Sequence, residues 1–95
     1  MKSKVYFADM HCRKQEDNKA AKIEKLCRAI GLNSIIKRDD LTAIKLHFGE
    51  MGNDTHIRPQ LVRKVVDLVK QEKAKPFLTD TTTLYSGSRR NAVNH

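Results

Sequence analysis

The residues of this sequence that can do chemistry fall into three short polar segments, each placed after a stretch of apolar residues. The first segment is residues 9–12, the second is residues 47–58 and the third is residues 79–90. Carboxylates and imidazoles can move protons or contact a metal, whereas arginines, hydroxyl groups and backbone N–H groups hold anions. These segments therefore predict an anion-binding rim with acid–base groups beside it.

Within this rim, the sequence indicates candidate residues for two roles. His47, Glu50 and Asp80 are the candidates for proton transfer or metal contact. The residues predicted to bind the ligand are Asn53, His56, Arg58, Thr81, Thr83, Tyr85, Ser88, Arg89 and Arg90. The run TDTTTLYSGSRR matches neither GxxxxGK[ST] nor GxGxxG, so it indicates an anion without specifying a nucleotide. Because no CxxC, HxxxH or HExxH spacing occurs, no metal site is predicted.

Composition and charge narrow the class of protein. The chain has 95 residues, enough for one small domain, and its net charge is +8, which favours anionic partners. Its basic residues are scattered and only 5% of residues are aromatic, so a dedicated nucleic-acid surface is the alternative and not the leading interpretation. Two cysteines and the absence of a signal-peptide-like or membrane-spanning run predict a cytoplasmic protein with free thiols and no membrane association.

The elements that must position the rim are three strands and two helices. The patterns predict strands at residues 4–10, 42–48 and 76–82. Between them, apolar residues at helical spacing predict one helix capped by Asp17 or Asn18 and ended by Gly31, and a second helix that begins at Pro59. Loops are predicted between these elements, including residues 33–40.

This order of elements predicts an α/β fold with a three-stranded parallel βαβαβ sheet, a Rossmann-like half. Strand orders 3-2-1 and 2-1-3 both fit the pattern. Because ligands bind at the carboxyl ends of parallel strands, the polar segments should share one edge of the sheet. On this edge Lys45 is expected to face solvent or Asp80.

Residues 91–95 look like the opening of a further helix, which predicts that the single domain 1–95 is a fragment, the N-terminal portion of a longer protein. The remainder of that protein is then an expected partner, besides an anionic small molecule. Self-association through uncovered apolar surface is a further expectation.

Six runs of the sequence form a distinctive set: AIKLHFGE at 43–50, GN at 52–53, IRP at 57–59, VD at 66–67, PFLTDT at 76–81 and LYSGSR at 84–89. Together they resemble a bacterial and archaeal domain-of-unknown-function family whose members are often described as iron–sulfur centre or ferredoxin-linked proteins. The resemblance implies a redox-associated protein with CxxCxxC cysteines downstream of this region. Here only Cys12 and Cys27 are present, so no cofactor is expected in this segment and an iron–sulfur cluster is expected in the full-length protein.

The leading hypothesis is therefore an N-terminal ligand- or cofactor-binding α/β portion of an iron–sulfur protein. The alternative is a small basic module that binds nucleic acid or another polyanion. Neither hypothesis specifies a reaction, so the sequence leaves open whether the protein is an enzyme.

Overall fold

A computed structural model of the protein describes residues 2–95 and shows a mixed α/β fold. In chain order, its elements are a short 3-10 helix (Gln15–Asp17), α1 (Lys19–Ala29), α2 (Leu32–Ile35), β1 (Leu41–Lys45), α3 (Pro59–Gln71) and β2 (Lys75–Thr79). The two strands form a parallel sheet, and α3 is the crossover between them.

Helix α1 begins and ends where the sequence predicts. The side chain of Asn18 accepts a hydrogen bond from the Ala21 N–H at 2.8 Å, which satisfies one of the free donors of the first turn. Gly31 follows the helix with φ of +76°, a left-handed conformation that glycine adopts without strain. Of the apolar residues at helical spacing, Ile23, Leu26 and Cys27 are half-buried, whereas Ile30 at the end of the helix is exposed.

Helix α3 also begins as predicted, with Pro59 in its first turn. Val62, Leu68 and Val69 form its buried side. Lys64 Nζ lies 3.1 Å from Glu24 Oε1 and joins α3 to α1. The two helices therefore pack against each other and not on opposite sides of the sheet.

The strands pair directly, with Leu41 opposite Lys75 and Lys45 opposite Thr79. Of the two strand orders that fit the sequence, 2-1-3 would insert residues 4–10 between these strands. The direct pairing excludes that order.

Both strands are shorter than predicted because the Asp80 carboxylate accepts hydrogen bonds from the backbone N–H groups that follow each strand. Leu46 N–H still bonds to Thr79 O at 3.0 Å, but Phe48 N–H is directed to Asp80 Oδ2 at 3.4 Å. Thr81 N–H bonds to Asp80 Oδ1 at 2.7 Å instead of continuing the ladder. The strands therefore end at Lys45 and Thr79, and not at residues 48 and 82.

The predicted strand at residues 4–10 is not confirmed. These residues have no regular secondary structure, and the side chains of Val5 and Phe7 are 89% and 86% exposed. Lys22 of α1 donates to Asp9 O at 2.8 Å and also to the His11 carbonyl. The end of the segment is thus held at α1, and the described sheet has two strands where three were predicted.

Two further segments differ in detail from the sequence-based expectation. Residues 32–35 form the single turn α2 where a loop was predicted, and Ser34 Oγ donates to Gly31 O at its start. At residues 91–95 one turn closes, since His95 N–H bonds to Asn91 O at 3.0 Å. This turn brings His95 beside the end of β2.

The hydrophobic core is small. Its buried residues are Ile36, Val62, Leu68, Val69 and Ala74. The radius of gyration is 15.8 Å, whereas a compact domain of this length has about 12–13 Å. The core is therefore thin, and much apolar surface is left exposed. None of the helices within residues 2–95 has the length and apolar character needed to cross a membrane.

Candidate functional site

Asp80, directly after β2, is the centre of a charged cluster at the carboxyl end of the sheet. Its side chain is 2% exposed. Arg89 Nη2 and His95 Nε2 each lie 3.0 Å from its Oδ2, and Lys45 Nζ lies 3.4 Å from its Oδ1. Lys45, which was expected to face solvent or Asp80, contacts Asp80 while its side chain stays 57% exposed. One buried carboxylate organises three basic side chains from β1, the loop after β2 and residues 91–95.

The surroundings of Asp80 keep it ionised. Burial alone acts to raise the pKa of this carboxyl group. Hydrogen bonds from the Thr81 N–H, the His95 ring and the Phe48 N–H outweigh that effect, with a further contribution from Lys45. The pKa of Asp80 is therefore held well below its ordinary value of 3.8. A carboxylate in this state serves as a fixed negative charge and not as a proton donor near neutral pH.

The loop after β1 is shaped by two glycines and one tight turn. Gly49 has φ of +112° and its N–H bonds to His47 Nδ1 at 2.9 Å. Gly52 has φ of +81° in the turn that Asn53 N–H closes onto Glu50 O at 2.8 Å. A Cβ atom on Gly49 would lie 3.1 Å from His56 Nδ1, so the imidazole of His56 rests against the glycine.

The loop after β2 is tied both to itself and to the loop after β1. Thr83 N–H bonds to Arg89 O at 2.9 Å, which folds residues 83–89 into a closed turn. Tyr85 Oη donates to Glu50 Oε2 at 2.9 Å across the two loops. This bond to Glu50 raises the pKa of Tyr85, with a further contribution from burial. The link fixes the position of the Glu50 carboxylate.

Arg89 is the buried cation of this loop, with a side chain that is 6% exposed. Its Nη2 donates to Asp80 Oδ2 and to Thr81 O, both at 3.0 Å. Its Nε is buried and has no hydrogen-bond partner among residues 2–95. A buried donor without a partner costs about 1–3 kcal/mol, so Nε is an unsatisfied hydrogen-bond donor beside the Arg89–Asp80 pair.

A cleft of about 690 Å³ opens beside Arg89, and we call it the polar cleft. Its lining residues are Phe48, Gly49, Glu50, Met51, Asn53, His56, Ser88, Arg89, Asn94 and His95. The structure thus brings together Glu50, Asn53, His56, Ser88 and Arg89, all of which the sequence singles out. Donors and one carboxylate converge here on a space large enough for a small metabolite.

The other predicted site residues do not line the polar cleft. Arg58 is the exposed N-cap of α3, and Arg90 is exposed beyond Arg89. Thr81, Thr83 and Tyr85 shape the loop through the hydrogen bonds given above. The proposed acid–base residues are also separated, since Asp80 is buried behind Arg89 and His47 lies outside the polar cleft.

The polar residues predicted after the first strand lie elsewhere. Asp9, His11 and Lys22 line a separate, shallow depression with Arg13 and Asp17. Lys22 Nζ bonds to Asp9 Oδ1 at 2.6 Å, and this bond lowers the pKa of Asp9. The single rim expected from three strand ends is therefore formed by the two strands β1 and β2 alone.

His95 and Asn94 are members of the site that the sequence reasoning did not identify. The sequence places them in the opening of a predicted helix, and no motif distinguishes them. The signal available was Asn91, whose side chain accepts from the Asn94 N–H at 2.9 Å and starts the turn that carries His95 to Asp80.

The two cysteines are both free and differ in environment. Cys12 is exposed, and its thiol donates to Lys14 O at 3.3 Å. Cys27 is half-buried on α1, and burial raises the pKa of its thiol. Within the described part of the chain, no group of three or more His, Cys, Asp or Glu side chains is arranged to hold a metal ion.

Comparison with known proteins identifies the family and no closer relative. Neither the curated proteins nor the solved structures include a match to this chain. The family model DUF362, described as a domain of unknown function, matches residues 42–95. This match covers β1 from Thr42 onward, α3, β2 and all residues of the polar cleft, and it is more than half of the chain. The protein is thus a member of the DUF362 family.

Proposed function

We propose that this protein binds a small anionic molecule in the polar cleft, with Arg89 as the main anion-binding residue. The observation that carries the proposal is that Arg89 lines an open cleft while its buried Nε has no partner among residues 2–95. Arginine recognises carboxylates and phosphates through its fork of N–H donors, so an oxyanion is the ligand that fits.

The hydrogen-bond donors around the cleft support an anion. The positive charges of Lys45 and Arg89 are balanced by the carboxylates of Asp80 and Glu50, since the hydrogen bond from Tyr85 leaves the Glu50 charge in place. His56 and Ser88 line the cleft with side chains that can donate to an oxyanion. An anion is therefore favoured there by converging donors and not by net charge.

The direct test is an NMR titration of the protein with inorganic phosphate and, separately, with succinate. The arginine Nε–H signals would be assigned with the variant Arg89→Lys. We expect the Arg89 Nε–H signal and the backbone amides of Glu50 and Ser88 to shift with one saturable binding curve. Shifts confined to exposed arginines such as Arg58 and Arg90 would contradict the proposal.

We also propose that the protein acts within a redox-associated iron–sulfur system in the cytoplasm. The support is the resemblance of its sequence runs to ferredoxin-linked proteins, together with two free thiols. The chain itself does not fit a cluster, because Cys₄ ligation needs four thiolates and only Cys12 and Cys27 are available. Cysteines from outside these 95 residues would have to hold it.

The iron–sulfur proposal is checked by isolating the protein anaerobically from its natural source, together with any cofactor or polypeptide that is attached to it. We expect a broad absorption near ~400 nm that disappears on iron chelation, as cysteine-ligated clusters show. A colourless product without iron would contradict this association and would leave the anion site unaffected.

For the fold, we propose that residues 4–10 can add to the sheet as a third parallel strand, which completes a βαβαβ unit. The segment is rich in β-forming residues, its Val5 and Phe7 side chains are uncovered, and β1 has an open edge. Amide hydrogen exchange is the test. Protection of alternate backbone amides is expected along residues 4–10, which include Val5 and Phe7. Exchange at the unprotected rate in all of these amides would refute the proposal.

A second candidate function is a basic module for polyanions, and the net charge of +8 favours it. It predicts binding to duplex DNA of any sequence, with an affinity that falls steeply as salt rises. Fluorescence anisotropy would test it. A labelled duplex would be titrated with protein in tenfold concentration steps, at about 50 mM and at about 200 mM salt. No binding at the lower salt would exclude this candidate.

A further inference from the structure

A second concave surface adjoins the polar cleft. It has a volume of about 450 Å³ and lies between α3 and the ends of the strands. Leu46, Ile57, Val62, Val66 and Leu78 make its apolar walls, and we call it the apolar groove. Val62 is buried, whereas Ile57 and Leu78 are 46% and 45% exposed, so the groove is open to solvent on one side.

The apolar groove and the polar cleft share two lining residues. Phe48 and His56 line both of them. Phe48 is 47% exposed, and the His56 ring is held beside Gly49. A molecule seated in the polar cleft can therefore extend along these two rings into the groove without leaving the surface.

The charges at the mouth of the groove are compatible with an anionic molecule. Arg63, Lys70 and Asp67 line the groove at its mouth, and Arg63 Nε lies 3.9 Å from Asp67 Oδ2. The mouth therefore carries two positive charges against one negative charge. An anion that enters from this side meets no net repulsion.

We propose that the ligand of this protein is an amphipathic anion, with an oxyanion head at Arg89 in the polar cleft and an aromatic or alkyl body in the apolar groove. This inference rests on the proposed function and adds the class of molecule. An aromatic ring suits the space because Phe48 and His56 offer flat faces against which it can stack. A purely inorganic anion would leave the apolar groove unused.

The test compares two phosphate monoesters that differ only in their body. Methyl phosphate has the head without the ring, and phenyl phosphate has both. Burial of about 55 Å² of apolar ring surface at about 25 cal/mol/Å² corresponds to a tenfold gain in affinity. Isothermal titration calorimetry should therefore show that phenyl phosphate binds about tenfold or more tightly than methyl phosphate.

A matched pair of variants locates the ring. Ile57→Gln places a polar side chain in the groove wall, whereas Ile35→Gln makes the same change at a 66% exposed position outside both surfaces. We expect Ile57→Gln to reduce the affinity ratio of the two esters towards one and Ile35→Gln to leave it unchanged. An unchanged ratio in Ile57→Gln would overturn the inference.

The outcomes for the wild-type protein separate this inference from the proposed function. Equal binding of the two esters would refute the amphipathic ligand and leave the anion site standing. Failure of both esters to bind at millimolar concentration would refute the anion site itself, and this inference with it.

Discussion

Arg89 and Asp80 form an ion pair at 3.0 Å in which both side chains are almost fully buried, and the pair joins the end of β2 to the loop that lines the polar cleft. Asp80 accepts a hydrogen bond from Nη2 of Arg89, while the buried Nε has no partner within the described part of the chain. The same carboxylate also ends both strands by accepting the Phe48 and Thr81 N–H groups.

The pair makes the stability of the protein sensitive to acid. Since the pKa of Asp80 is lowered in the folded protein, its charge stabilises the fold fully above its ordinary pKa of 3.8, and this stabilisation is lost as the pH falls towards the folded pKa. We expect Asp80→Asn to be less stable than wild type at pH 7, and the difference to shrink below about pH 4. Urea unfolding at pH 3, 4, 5 and 7 measures it. A difference that stays constant over this range would contradict the account.

The conformation of Gly49 should matter more than that of Gly52. Both have positive φ, but a Cβ on Gly49 would lie 3.1 Å from His56 Nδ1, whereas no atom of residues 2–95 outside its immediate neighbours would lie within 4 Å of a Cβ on Gly52. A strained backbone position costs about 1–3 kcal/mol. We expect Gly49→Ala to lower the free energy of unfolding by about this amount and by more than Gly52→Ala does. Urea unfolding of the two variants gives the comparison, and equal losses would show that His56 is not held against the glycine.

The hydrogen bond between Tyr85 and Glu50 should be visible in the titration of the phenol. It raises the pKa of Tyr85, so removal of the carboxylate should lower that pKa towards its ordinary value of 10.0. The absorbance change near ~295 nm would be recorded as a function of pH for wild type and Glu50→Gln. The titration curve of Tyr85→Phe would be subtracted from the wild-type curve to isolate the signal of Tyr85. If Glu50→Gln leaves the phenol titration unmoved, the two loops are not linked as described.

The small core should make single truncations costly. Leu68 is 5% exposed on the buried side of α3, and truncation of a buried leucine costs about 2–5 kcal/mol. Leu68→Ala should therefore lower the midpoint of urea unfolding strongly. Leu84→Ala, at a residue that is fully exposed, is the control and should change it little. Similar midpoints for the two variants would mean that α3 is not packed as it is here.

The local elements with clear end signals could be predicted from the sequence. Asn18 and Gly31 delimit α1, and Pro59 starts α3, because caps and turn residues act through their immediate neighbours. The strand ends could not be predicted, since Asp80 redirects backbone donors that lie up to 32 residues away in the chain. Residues 4–10 have a strand-like composition, yet pairing depends on contacts that composition does not encode.

The candidate site was predictable as a class and not in detail. The rule for parallel strand ends placed the loops after β1 and β2 together, and five predicted residues line the polar cleft. Which of the two adjacent arginines turns inward depends on the closed turn between Thr83 and Arg89, which a motif does not reveal. His95 reaches the site through a turn near the end of the described chain.

The choice between these two arginines provides the most direct test of the central claim, that Arg89 binds an anion in the polar cleft. Arg89→Gln and Arg90→Gln remove the same charge from neighbouring positions, of which one is buried at the cleft and the other exposed. Circular dichroism would first establish that both variants are folded, and calorimetric titration with phenyl phosphate would then be compared with wild type. We expect Arg89→Gln to weaken binding by about tenfold or more, since a charged hydrogen bond contributes about 1.5–3 kcal/mol, and Arg90→Gln to bind as wild type does. Equal effects of the two substitutions would show that binding follows net charge alone, and the central claim would be wrong.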